Sequence, residues 1–159
     1  MKKSSLLLFA FLLISAPALA MTDDLYKELA AKMQKTISKT FTDHLSKCEV
    51  YAESYVSPIS NETLYRRILG LDEEGGKCAY EEDMPKKMKI ICAYPKDKLA
   101  KFAAYYEKVR AAKHYSFQMP VGNTLAIKDI QSVEVIDGEI VQNSSQTFLR
   151  DGTCMIKGR

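Results

Sequence analysis

The stretch GGKCAYEEDMPKKMKIICAYP, residues 75–95, decides how the middle of this chain is expected to fold. Apolar and polar residues alternate on both sides of a Pro-containing turn, which is typical of two half-buried antiparallel strands. With the turn at Met84-Pro85-Lys86, Cys78 lies directly opposite Cys92. The stretch therefore predicts a β-hairpin that carries two of the four cysteines of the chain.

The preceding residues 62–71 fit two structures. They fit a helix with Asn61 as its N-cap and Gly70 as its end, and they also fit a strand. If residues 73–76 turn back, the strand pairs with the hairpin and one face of three strands becomes apolar. That face consists of Leu69, Leu71, Cys78, Tyr80, Ile90 and Cys92.

The charges agree with this register. It sets Arg67 opposite Glu82 and, on the reverse face, Glu81 opposite Lys89. Opposite charges across strands stabilise a pair by roughly a few tenths of a kcal/mol. Because the apolar face and the charges agree, we predict a three-stranded antiparallel meander.

Helical periodicity flanks the meander on both sides. Residues 22–47 carry an apolar residue at every fourth position, and residues 96–115 form a second periodic segment after Pro95. The apolar stripe of the first helix is expected to pack on the sheet; docking to a partner helix or a membrane is the alternative. The buried positions predicted for the second helix are Leu99, Phe102, Ala103, Tyr106 and Val109.

Short strands dominate the last third of the chain. TLAIKDI (124–130) predicts a strand, and QSVEVIDGEIVQ (131–142) predicts a hairpin because Asp137-Gly138 favours a two-residue type I′ turn. SSQTFLRDG (144–152) is compatible with a helical turn. The predicted order is an N-terminal amphipathic helix, an antiparallel meander, a second helix and a C-terminal hairpin. This order indicates a disulfide-linked α+β domain with its helices on one face of the sheet.

Residues 1–20, MKKSSLLLFAFLLISAPALA, have the three parts of a secretory signal peptide: two lysines, a short apolar run and the small-x-small site Ala18-Leu19-Ala20. The apolar run is shorter than the about 20 residues that span a bilayer. We therefore expect cleavage, a single soluble domain of residues 21–159, and a bacterial periplasmic or secreted location. An uncleaved anchor or a buried N-terminal helix is the alternative. Without the leader, 21 basic residues face 20 acidic ones, and this balance predicts no nucleic-acid partner.

Cys48, Cys78, Cys92 and Cys154 are expected to form two disulfides, because exported chains enter an oxidising compartment. No C-x-x-C pair is present, so neither a zinc site nor a thioredoxin-like redox site is predicted. Of the three connectivities, Cys78–Cys92 with Cys48–Cys154 is favoured, and the crossed pairings stay open. The alternative role for Cys48 is a thiolate nucleophile beside His44, four residues earlier on the same helix face.

Catalytic motifs are not found in the sequence, which has no G-x-S-x-G, P-loop, G-x-G-x-x-G or H-E-x-x-H. Paired carboxylates lie at predicted turns and a helix start, where they are solvated, rather than across a cleft. No cofactor and no metal are expected.

Two groups of residues are candidates for binding. Six lysines within 16 residues could meet anionic lipid or an acidic partner: Lys86, Lys87, Lys89, Lys96, Lys98 and Lys101. Seven tyrosines could offer half-buried rings to a protein or sugar, or line the rim of the core: Tyr51, Tyr55, Tyr80, Tyr94, Tyr105, Tyr106 and Tyr115. We predict a non-enzymatic exported domain that binds a protein or an envelope component, of undetermined oligomeric state. A cell-envelope hydrolase or a hydrolase inhibitor is the alternative.

Overall fold

The computed structural model describes residues 23–118, 133–142 and 144–158, which form an α+β fold with two antiparallel sheets. The elements are α1 (Asp23–Lys35), α2 (Lys39–Lys47), β1 (Tyr51–Val56), β2 (Thr63–Leu71), β3 (Lys77–Met84), β4 (Met88–Pro95), α3 (Lys96–Ala111), β5 (Tyr115–Gln118), β6 (Val133–Ile136), β7 (Glu139–Gln142), α4 (Ser144–Arg150) and β8 (Cys154–Gly158). The strand predicted at 124–130 and the leader at 1–20 lie outside the described residues. Within those ranges, no helix is long and apolar enough to cross a membrane.

The larger sheet has five strands in the order β1-β2-β3-β4-β8, and the smaller sheet has three in the order β5-β6-β7. Helices α2, α3 and α4 contribute Phe41, Phe102 and Phe148 to one hydrophobic core. The larger sheet contributes Ile68 and Tyr80, among others, to the same core. Within residues 62–71, Thr63–Leu71 form strand β2 rather than a helix, and the α+β class and the antiparallel meander are confirmed.

The C-terminal hairpin is also as predicted. Val135 pairs with Ile140 across a turn in which Asp137 and Gly138 both have positive φ. Positive φ at both turn residues is what a type I′ turn requires.

The helix predicted at 22–47 is two helices, because the chain bends at residues 36–38. Thr36 Oγ1 donates to the carbonyl oxygen of Met33 (2.7 Å), and Ser38 Oγ accepts from the amide of Phe41 (2.9 Å) and caps α2. Serine and threonine compete with the helical backbone in this way. The bend directs α2 toward the sheet, where Phe41 is fully buried.

A β-bulge changes which residues of β2 face the core. Leu71 has its predicted partner, but beyond Gly70 the register shifts by one, so Ile68 rather than Leu69 lies opposite Tyr80. Gly70 permits the bulge because its φ of 93° suits glycine alone. A one-residue shift reverses the two faces of a strand. The prediction that Leu69 faces the core is therefore wrong: it is 50% exposed, against 1% for Ile68. The same prediction for Leu71 is also wrong, since this last residue of β2 is 62% exposed although it keeps its predicted partner.

The β3–β4 hairpin turns at residues 85–87, one residue later than predicted, so its register differs by two. Cys78 lies opposite Tyr94, and Tyr80 lies opposite Cys92. A two-residue shift preserves the faces of both strands. These residues stay in the core as predicted, but Cys78 and Cys92 are not cross-strand partners.

The disulfides are Cys48–Cys78 and Cys92–Cys154, so the favoured pairing of Cys78 with Cys92 and Cys48 with Cys154 is wrong. Register explains the difference: Cys92 and Cys154 are direct partners across β4 and β8, which leaves Cys78 for Cys48 at the C-terminal end of α2. All four cysteines are bonded. A bonded Cys48 is not a thiolate nucleophile beside His44.

Peptide mapping under non-reducing conditions tests this pairing. We expect one peptide pair joined through Cys48 and Cys78, one joined through Cys92 and Cys154, and no reactive thiol after denaturation. Replacing Cys48 and Cys78 together by alanine should lower the free energy of unfolding by about 2–4 kcal/mol in urea denaturation, because the bridge constrains the unfolded chain. A peptide that joins Cys78 to Cys92 would contradict the pairing.

Alanine substitutions at Ile68 and Leu69 test the bulge, because the two residues are neighbours on opposite faces. Ile68→Ala should lower the free energy of unfolding by about 2–4 kcal/mol, since it removes buried methyl groups and leaves a cavity. Leu69→Ala should change it by no more than about 0.5 kcal/mol, as is usual for an exposed position. A larger loss at Leu69 than at Ile68, measured by urea denaturation, would show the bulge-free register.

Candidate functional site

A cavity of about 340 Å³ opens between the larger sheet, the end of α1, α3, α4 and the smaller sheet. Its walls are mainly apolar and include Met33, Ile37, Met84, Ile90, Leu149 and Ile156. Polar side chains also line it: four tyrosines, Arg66, three acids, Thr36, Ser57 and Ser145. Apolar walls with a few convergent polar groups are typical of a small-molecule site, and this volume lies at the lower end of the usual range.

Arg66 of β2 supplies a buried positive charge to the cavity wall. It is 2% exposed, and its guanidinium lies 4.1 Å from the ring centre of Tyr55 and 4.9 Å from that of Phe41. Its Nε is 3.6 Å from Glu53 Oε1 and 3.9 Å from Glu82 Oε1. Burial alone would lower the pKa of Arg66, but the charge of Glu82, with nearby tyrosine oxygens, raises it above its usual value. The guanidinium therefore stays charged.

The hydrogen bonds of Arg66 are incomplete. Its Nη2 donates to Thr36 Oγ1 over 3.3 Å, at the bend between α1 and α2. Among the described residues, its Nε and Nη1 have no hydrogen-bond acceptor. Buried polar groups nearly always have a partner, and each exception needs a reason such as a bound molecule. Nε lies 3.6 Å from Glu53 Oε1, which also has no hydrogen-bond partner in the described ranges, so Nη1 is the donor of this cavity-lining residue without a carboxylate assigned to it.

Tyrosine hydroxyls donate to the carboxylates beside the cavity. Tyr55 Oη donates to Glu82 Oε1 (2.6 Å), Tyr80 Oη donates to Glu82 Oε2 (2.7 Å), and Tyr105 Oη donates to Glu134 Oε2 (2.6 Å). Each hydroxyl hydrogen is used in its bond, so the free lone pairs of these oxygens can only accept. The bond from Tyr105 to Glu134 also joins α3 to β6 and so fixes the smaller sheet beside the cavity.

The six lysines proposed from the sequence lie before, within and after β4. Two occupy the turn at 85–87, and three lie in the first turns of α3, beyond the other end of the strand. Lys89 Nζ donates to Glu81 Oε2 (2.6 Å), and Lys98 Nζ donates to Asp151 Oδ2 (2.8 Å). Binding of an anionic partner by these lysines stays a prediction.

Sequence reasoning found the cavity tyrosines and missed the arginine. Tyr55, Tyr105 and Tyr115 belong to the set marked as half-buried contact residues, and they line the cavity. Arg66 was missed because the bulge-free register pairs Arg67, not Arg66, with Glu82. The glycine inside β2 was the one signal of a bulge.

Alkaline titration tests the burial of the tyrosines. Burial is the main cause that raises the pKa of six of the nine tyrosines, and the charge of Glu82 or Glu134 raises each of these pKa values further. The six are Tyr55, Tyr80, Tyr94, Tyr105, Tyr106 and Tyr115. These six should keep their protons above pH of about 10, where tyrosines of an unfolded chain ionise. The unfolded state then binds fewer protons, so the free energy of unfolding should fall as the pH rises further.

Ultraviolet absorbance of tyrosinate, recorded with and without urea, measures this difference. We expect the six to ionise only as the fold opens. Complete ionisation of the folded protein along the curve found in urea would contradict the burial.

The cavity around Arg66 is the site at which the described residues combine a buried charge, hydroxyl oxygens and apolar walls. Comparison with protein-family models, with curated proteins and with solved structures finds no match for this chain.

Proposed function

We propose that this protein is an exported, non-enzymatic binding module and that the cavity holds its ligand. The two disulfides make it a small disulfide-stabilised domain and fit an oxidising compartment. The leader-like residues 1–20 support export. One observation carries the proposal: a cavity of about 340 Å³ whose wall contains a buried arginine with Nε and Nη1 unpartnered among the described residues.

The shape of the site supports a small molecule or a narrow apolar group as the ligand. The volume equals that of roughly ten water molecules at about 30 Å³ each. The lining residues come from both sheets and from three helices, so the walls exist before any ligand arrives. A preformed site loses little conformational entropy on binding. An envelope component with an apolar part meets these requirements.

The polar bonds of the site support binding rather than catalysis. Glu82 accepts from Tyr55 and Tyr80, and Glu134 accepts from Tyr105, so both carboxylates help to hold the cavity walls. Burial keeps the hydroxyls of Tyr55 and Tyr105 protonated by raising their pKa values. Tyrosines and glutamates that are hydrogen-bonded to each other in this way favour a rigid binding site over a catalytic one.

Fluorescence of the uncharged dye N-phenyl-1-naphthylamine tests the cavity in oxidised protein of residues 21–159. We expect saturable binding of one dye molecule. Ile90→Phe places a larger ring in the cavity and should weaken binding by about tenfold. Ile91→Phe is the matched control, because the neighbouring side chain points to the other face of β4, and it should change the affinity by less than about twofold.

Circular dichroism and thermal melting show whether both variants keep the fold. The proposal fails if the dye does not bind saturably, or if Ile90→Phe and Ile91→Phe lower the affinity for the dye equally.

A further inference from the structure

We propose that the ligand of this cavity is an aliphatic acyl group whose polar end is an uncharged carbonyl, as in an ester or an amide, accepting a hydrogen bond from Arg66 Nη1. This inference rests on the proposed function and specifies the chemistry of its ligand. It combines three observations: the unused donor of Arg66, the two carboxylates that flank Arg66, and the aliphatic walls.

The unused donor requires an acceptor on the ligand. Arg66 is 2% exposed and lines the cavity, and within the described ranges its Nη1 has no acceptor. A guanidinium N–H bonds only to acceptors such as carbonyl, carboxylate or phosphate oxygens. The lone pairs of Tyr55 and Tyr105 at the cavity are acceptors themselves, because their hydroxyl hydrogens point to glutamates. The arginine is therefore the group that selects the acceptor end.

The flanking carboxylates favour an uncharged acceptor over an anion. Glu53 and Glu82 both lie within 4 Å of Arg66 Nε, so two carboxylates face one guanidinium. The charge of Arg66 is already compensated, and an anionic head group beside Nη1 would be repelled by both acids across a poorly screened interior. A carbonyl accepts the same hydrogen bond without that repulsion.

A cationic head group is also disfavoured. It would lie beside the charged Arg66. The buried acceptor near Arg66 that has no hydrogen-bond partner among the described residues, Glu53 Oε1, lies 3.6 Å from Arg66 Nε and does not line the cavity. Glu82 and Glu134 already accept hydroxyl hydrogens at 2.6–2.7 Å. Asp83 Oδ1 already accepts from Arg67 Nη1 over 3.4 Å.

The apolar walls match a flexible chain. Met33, Ile37, Ile90, Leu149 and Ile156 present aliphatic or thioether surface to the cavity. Methionine adapts its shape to an unbranched chain. The volume holds on the order of ten non-hydrogen atoms at about 30 Å³ each. A medium-length acyl chain fills such a space.

Displacement of the naphthylamine dye by chain-matched compounds tests the polar end. The compounds are N-methyldecanamide and monodecanoylglycerol as the uncharged amide and ester, decanoate as the anion and decylamine as the cation, each below the concentration at which it aggregates. We expect at least one carbonyl compound to bind about tenfold more tightly than either ion, which corresponds to about 1.4 kcal/mol. The two carbonyl arms separate an amide source from an ester source.

Removal of one flanking charge tests the reason for the selection. Glu53→Gln keeps an acceptor for Ser38 Oγ, which donates to Glu53 Oε2 (2.5 Å), but it removes one of the two carboxylates at Arg66. Decanoate should then bind about fivefold more tightly, while the affinity for the carbonyl compound should change by less than about twofold. Glu49→Gln is the matched control, since Glu49 is exposed and does not line the cavity.

The outcomes separate this inference from the proposed function. If decanoate or decylamine binds as tightly as the carbonyl compounds, the inference is wrong and the binding function stands. The same holds if none of the four compounds displaces the dye while Ile90→Phe still lowers the affinity for the dye. If Glu53→Gln leaves decanoate unchanged, the charge explanation is wrong. If the dye itself does not bind, the proposed function fails first.

Discussion

The β-bulge at Gly70 is the constraint on which the inner face of the protein depends. Gly70 has a positive φ, which accommodates the one extra residue of β2 at the bulge. A Cβ at this position would lie 3.2 Å from Val50 Cγ2, which is closer than most real Cβ contacts. The bulge turns Arg66 inward opposite Glu82 and leaves Arg67 outward opposite Glu81. A regular strand would exchange the two arginines, and the cavity would lose its buried charge.

The buried charge is costly to keep, and its partners show how the fold holds it. Removing a guanidinium from water costs several kcal/mol before its partners are counted. Here two aromatic rings and two carboxylates offset that cost, while Nε and Nη1 lack acceptors in the described part of the chain. An apolar residue of similar volume at position 66 would fill the space without this loss. Stability alone therefore does not explain Arg66, and the proposed ligand would complete its hydrogen bonds.

Local patterns predicted the elements of this fold, and long-range geometry set the site. Asp137-Gly138 and the apolar stripe from Leu99 to Val109 specify a turn and a helix through neighbours in sequence, and both are present. The apolar periodicity did not predict the bend at residues 36–38. Ser38 caps a new helix there, but the apolar stripe continues across the bend.

The errors in register had a larger effect than the errors in element boundaries. A later turn in the β3–β4 hairpin moved Cys78 away from Cys92, so the disulfides were mispaired although the faces were right. The cavity is lined by residues that are far apart in sequence, such as Met33, Ile90 and Leu149. A pattern within one helix or strand does not predict that these residues lie close together.

The disulfide bridges lie in the buried core and join elements that are distant in sequence. Empty space removes contacts that a filled core would make, and a small domain has few others to compensate. Ile90 and Ile156 are cross-strand partners in the cavity wall, two residues from Cys92 and Cys154, whose bridge locks β4 to β8. Cys48–Cys78 fixes the far end of α2, the helix that begins just after the bend at Thr36. The Cys92–Cys154 bridge thus joins covalently two strands that contribute to the cavity wall.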